Sequence, residues 1–127
     1  MTKITQVEIH EFGFDVPNLG NLTGTDSVGA IGYMKGAVSL IEKFALVIIT
    51  EDGCRGEYVT HWCSTPSTCA QAKTLAPKLI GRHAEEREGI YDDMKRELRQ
   101  FDHMGQGPID IALWDWAGKQ LDCSVSV

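Results

Sequence analysis

The 127-residue sequence has no apolar stretch near the ~20 residues that a membrane-crossing helix requires. The longest run, 44–49, is only strand-sized. The first residues, Met1-Thr2-Lys3-Ile4-Thr5-Gln6, lack the apolar core of a secretion signal, so a cytoplasmic location is expected. Cations are the minority: 12 Lys and Arg stand against 18 Asp and Glu, a net charge of −6. That balance argues against nucleic acid and anionic membrane as partners. The four cysteines, Cys54, Cys63, Cys69 and Cys123, are irregularly spaced with no Cys-x-x-Cys, so a disulfide framework is not expected. His61, Cys63 and Cys69 match no common zinc spacing. Neither a Gly-x-Gly-x-x-Gly phosphate loop nor a Gly-x-Ser-x-Gly elbow occurs. Glu85, Glu86, Glu88, Asp92 and Asp93 gather on one predicted helix and read as its solvated face. Nothing in the chain assembles into a catalytic constellation.

What is present fits one domain with 43% apolar residues. Residues 3–16 read as a long strand. Val7 and Ile9 share one parity, whereas Phe12, Phe14 and Val16 share the other, so a bulge or bend near His10-Glu11, or two separate pieces, is expected. No period holds over 17–39, which contains five glycines and scattered apolar groups. A structureless stretch of that length in a compact domain reads as a flexible lid loop. Residues 43–50 form a strand buried on both faces, Asp52-Gly53 a tight hairpin turn, and 54–61 the returning strand. The expected core sheet is a three-stranded antiparallel meander.

Helices follow. Ser64-Thr65-Pro66 opens one that runs to about Leu75. A second is expected over 84–101, with Ile90, Met94, Leu98 and Phe101 as its apolar stripe. The third, 107–119, is the most informative. Pro108 suits its first turn, Asp110 is placed where the dipole favours an anion, and Asp115 precedes Lys119 by four residues. Ile109, Ala112, Leu113, Trp116 and Ala117 form one stripe, and Ile111, Trp114, Gly118 and Leu121 another on nearly the opposite side. A helix apolar on both sides needs cover on both sides. One cover is expected to lie outside this sequence, leaving Ile111 and Trp114 exposed.

The order of elements and the segment Gly107-Pro-Ile-Asp-Ile-Ala-Leu-Trp-Asp-Trp-Ala-Gly-Lys119 resemble the N-terminal capping domain of the enolase superfamily, mandelate racemase/muconate lactonizing enzyme branch. The most specific part is Asp110-x-Ala112-x-Trp114-Asp115 with Gly118-Lys119 behind it. Glu51-Asp52-Gly53, Gly56-Glu57 and Leu79-Ile80-Gly81 support it. The resemblance implies an α+β fold, a meander followed by a helical bundle, over residues 1–127. It also implies a C-terminal (β/α)7β barrel as partner domain, absent from this sequence, which carries the acid/base residues and the carboxylate ligands of Mg2+. Enzymes of this kind abstract the proton α to a carboxylate. The cap supplies substrate-selecting loops, which map onto the lid and the strand-to-helix junction. Asn18, Asn21, Thr23, Tyr33, Tyr58, His61 and Trp62 are the candidate specificity residues, with no catalytic or metal residue expected in this chain. Asn18, Asn21, Thr23, Thr25 and Asp26 favour an acid sugar as the carboxylate substrate, and thus a dehydratase or a racemase/epimerase. Intact relatives of this kind form homo-oligomers. The competing reading is a stand-alone α+β ligand-binding or dimerisation module.

Overall fold

The computed structural model describes residues 1–23, 31–61 and 65–126. Strands β1 (Ile4–Asn21), β2 (Ile31–Thr50) and β3 (Arg55–Val59) precede helices α1 (Thr65–Leu75), α2 (Arg87–Glu97) and α3 (Gln106–Gln120). The strands form one antiparallel sheet in the order β1-β2-β3, as the sequence led us to expect. Opposed residues in such a sheet share a face. Phe44, Leu46 and Ile48 of β2 are fully buried, so the faces of their partners Val7, Ile9, Gly56 and Tyr58 are fixed too. The three helices pack on this face. Their contribution to the core is Cys69, Ala72 and Leu75 of α1, Ile90 and Met94 of α2, and Ile109, Ala112, Leu113 and Trp116 of α3.

The β2–β3 reversal shows how side chains set local geometry. Gly53 N donates to the Thr50 carbonyl at 2.8 Å, so Glu51 and Asp52 are central and Gly53 follows with φ +84°. That left-handed position suits glycine. The Asp52 carboxylate accepts from Thr50 Oγ1 at 2.6 Å, from Cys54 N at 3.1 Å and from Gln120 Nε2. Thr50 Oγ1 in turn accepts the indole N–H of Trp116 at 2.9 Å, which ties the turn to the core face of α3. These bonds hold the Asp52 carboxyl below its ordinary value, the Thr50 hydroxyl contributing most. Glu57 is also lowered, chiefly by Lys119, and Glu11 chiefly by Lys73. A carboxyl lowered in the fold stabilises it when ionised, and that stability is lost as protons bind. The midpoint of urea unfolding is therefore expected to fall as pH drops from about 5 to about 3. Each share is modest because the three groups face solvent. An unchanged midpoint over that interval would contradict the network.

Four differences from the sequence reading have physical causes. Most of 17–39 is not a structureless lid. Residues 17–21 belong to β1 and 31–39 to β2, which together extend as a two-stranded arm; residues 24–30 lie outside the described ones. Pairing between distant segments, Leu19 with Tyr33 and Gly20 with Gly32, supplies the order that no local period announces. No bulge lies near His10-Glu11: the register runs unbroken from Gln6↔Ile49 to Pro17↔Val38, and the shifts fall between Ile4 and Gln6 and between Pro17 and Leu19. Phe12, Phe14 and Val16 do point to the face away from the helices. Helix α2 ends at Glu97, so Phe101 leaves the stripe and is exposed, while Ile90, Met94 and Leu98 are buried. Finally, α3 begins at Gln106, so Asp110 lies one turn inside it and no acidic residue stands in its first turn.

Candidate functional site

Two regions are left uncovered by the fold. One is the arm, and the other is the side of α3 turned away from the sheet.

On the arm, Asn18 adopts φ +58° and its Oδ1 accepts from Gly36 N at 3.0 Å. Asn21 Oδ1 accepts from Thr23 N at 3.1 Å and from the Thr23 hydroxyl at 3.4 Å. The polar groups expected to select substrate thus fold the arm's own backbone, although Asn18 and Thr23 remain exposed. Tyr33 and Val38 are strongly exposed on the arm, and Phe12, Phe14 and Leu40 are exposed on the strands leading into it. Tyr58 is not in a loop: it is half-buried against the core. His61 is exposed at the end of β3, and its carbonyl accepts from Thr65 Oγ1 at 3.3 Å. Trp62 lies outside the described residues. Asn18, Asn21, Thr23 and Tyr33 therefore lie along the arm, with Tyr58 on β3 of the core sheet and His61 two residues beyond its end.

Helix α3 carries both apolar stripes that its sequence implies, except that Gly118 of the outer stripe is buried against Cys123 and Val125. Ile109, Ala112 and Leu113 are completely buried, and Trp116 is 2% exposed. Ile111 and Trp114 are each 44% exposed and Leu121 is 72% exposed. Asp115 and Lys119 form the expected pair at 2.7 Å, and both also reach the outer edge of β3. The Asp115 carboxylate accepts from Glu57 N at 2.8 Å, and Lys119 Nζ donates to the Arg55 carbonyl at 2.9 Å and to Glu57 at 3.0 Å. An open strand edge is a template for unwanted pairing, and these two side chains close it.

Around Trp114 the arrangement differs. The Arg87 guanidinium lies 4.5 Å over the indole ring, a cation–π contact. The Arg87 Nε is buried with no acceptor among the described residues. Arg87, Glu88, Tyr91, Asp92, Asp110 and Trp114 line one depression beside the ring. Burial pushes the Asp110 carboxyl above its ordinary range, and Arg87 offsets this in part. Sequence reasoning placed Asp110 at the helix start and missed this setting. Arg87 lies on the helix read for its apolar stripe and its solvated carboxylates, and no local spacing ties it to Trp114. Among the described residues no three His, Cys, Asp or Glu side chains converge as metal ligands, and no helix is long and apolar enough to cross a membrane.

A family model described as "Mandelate racemase / muconate lactonizing enzyme, N-terminal domain" matches residues 34–127. No curated protein matches the chain. Among solved structures, an enolase from Pseudomonas fluorescens Pf0-1 with bound magnesium, potassium and tartrate superposes with TM-score 0.72 at 14% identity, covering 98% of this chain and 30% of that one. A member of the enolase superfamily from Polaromonas sp. JS666 gives 0.69 at 22% identity, with 94% and 31% covered. An isomerase from Streptomyces coelicolor A3(2) gives 0.68 at 21%, with 99% and 32% covered. At these identities the likeness is one of fold. The chain spans about a third of the length of the proteins it superposes on.

Proposed function

Because the chain belongs to the mandelate racemase/muconate lactonizing enzyme family through its N-terminal domain, we propose that it is the substrate-selecting cap of a Mg2+-dependent enzyme that abstracts the proton α to a carboxylate. In this reading the following domain is a barrel that holds the base and the metal ligands. The described residues of this chain do not fit a metal, so no chemical step is assigned to them. Abstraction of so weak an acid's proton needs a placed base and strong stabilisation of the oxyanion, which the cap alone does not provide.

The observation that carries the reading is the exposed stripe of α3. A 44%-exposed tryptophan and isoleucine one turn apart on a helix whose other face is fully buried mark a surface made for cover. A third of the length of each superposed protein is accounted for, and the remainder is the proposed cover. The arm, with Asn18, Asn21, Thr23 and Tyr33, is placed over the barrel mouth, and Tyr58, His61 and Trp62 mark the junction that completes the rim. The acid-sugar substrate, the choice between dehydration and racemisation or epimerisation, homo-oligomerisation and a cytoplasmic location belong to the same proposal.

Calorimetric titration of the intact gene product with Mg2+ tests it. One Mg2+ site is expected on the intact protein and none on residues 1–127. A gene product that binds no Mg2+, or that continues into no further domain, would overturn the reading. In that case a stand-alone binding or dimerisation module would remain.

A further inference from the structure

Two members of the segment that led to the family have structural work in this chain: Asp115 closes the β3 edge, and Trp114 carries Arg87. Asp110 has none. It is half-buried, and no hydrogen bond or ion pair reaches its carboxylate among the described residues. Burying a carboxylate without a donor costs free energy, and native proteins provide a partner where they can. Arg87 is near enough to act on it electrostatically, yet it is held over Trp114 and makes no ion pair with it.

The surroundings define what is missing. Trp114 and Tyr91 are exposed apolar groups. Glu88 and Asp92 line the depression with Asp110, and Glu85 and Glu86 line a second one that shares Arg87, Glu88 and Trp114 with it. Among the described residues Arg87 is the one cation lining either depression, and its guanidinium lies over the indole. An aromatic knob ringed by carboxylates is complementary to a basic surface with an apolar seat. After α3 the chain turns back so that Val125 and Cys123 lie against Gly118.

We propose that Asp110 accepts an Arg or Lys side chain from the domain that follows in the same chain, and that Trp114 and Ile111 seat beside it. The inference rests on the proposed cap function and names the chemistry of its partner surface. The pair is an anchor of the interdomain contact: an aromatic residue and a desolvated charge pair at the centre of an interface are the groups whose loss is felt most.

The test compares Asp110→Asn in the intact protein and in residues 1–127, with oxidative footprinting of Trp114. Asparagine keeps the shape and removes the charge. In residues 1–127 the substitution is expected to leave the thermal midpoint unchanged or raise it, because a desolvated charge without a partner is relieved. In the intact protein it is expected to lower the midpoint by roughly 3–8 °C, because a buried cation then loses its partner. Trp114 is expected to be protected at least about tenfold in the intact protein relative to residues 1–127, independent of concentration. A protected Trp114 with no midpoint loss in intact Asp110→Asn would overturn the cation and leave the cap function standing. An unprotected Trp114 in the intact protein would overturn both. Protection that appears only at concentrations where dimers form would assign the surface to a second copy and overturn the inference.

Discussion

Gly56→Ala is expected to destabilise the domain by about 3–5 kcal/mol, a large part of the 5–15 kcal/mol that holds a typical domain together. A β-carbon built on Gly56 would stand 2.0 Å from the Ala112 carbonyl oxygen and 2.7 Å from Trp116 Cβ. The first of these is backbone of α3, which a rotamer change cannot move. To admit one methyl group the helix must retreat from β3. Its retreat would pull on the Asp115–Glu57 N bond, the Lys119–Arg55 carbonyl bond and the Trp116–Thr50 bond together. The thermal midpoint should fall by roughly 10–20 °C. Gly107→Ala is the matched comparison: a β-carbon there would meet nothing within 4 Å, and alanine is the better helix former, so stability should hold or rise. A Gly56→Ala midpoint within a degree or two of the parent would show that the α3–β3 approach is not what the close contact implies.

This approach also explains what the sequence could and could not disclose. Gly56-Glu57 and Asp115-x-x-x-Lys119 are far apart in the chain, yet they are two halves of one contact. The 3.6-residue period made both stripes of α3 legible, including the exposure of Ile111 and Trp114, because that pattern is local. The reversal after Thr50 was legible for the same reason, its chemistry lying within five residues, although Glu51 and Asp52, not Asp52 and Gly53, are its central pair. The arm was not. Its order comes from pairing between segments well apart in sequence, as in Pro17 with Val38 and Leu19 with Tyr33, and the shift after Pro17 breaks the alternation that would have announced it. Asn18 and Asn21 looked like ligands for a polar substrate, since side-chain amides suit both that role and the capping of a backbone turn. Only the fold shows them bonded to Gly36 and Thr23. Asp110 was misplaced by the position of a helix start. A first residue at Gln106 moves it out of the first turn and from a dipole role to the rim of the Trp114 depression.

The largest functional effect is expected in the difference between this chain and the intact protein. Enzymes commonly accelerate their reactions by about a million-fold or more, and proton abstraction from carbon in particular depends on a base and an electrostatic cradle fixed before the reaction begins. In the proposed division of labour both lie outside residues 1–127. In that proposal the cap contributes binding through the arm and moves no proton by itself. Incubation with a panel of α-hydroxy carboxylates and acid sugars in deuterium oxide, followed by mass spectrometry, measures α-proton exchange directly. The account predicts exchange of at least one carboxylate by the intact protein with Mg2+, its loss on chelation and return on adding Mg2+, and no exchange by residues 1–127 above the buffer rate. Exchange catalysed by residues 1–127 alone, or an intact protein that exchanges no carboxylate with Mg2+ present, would contradict it.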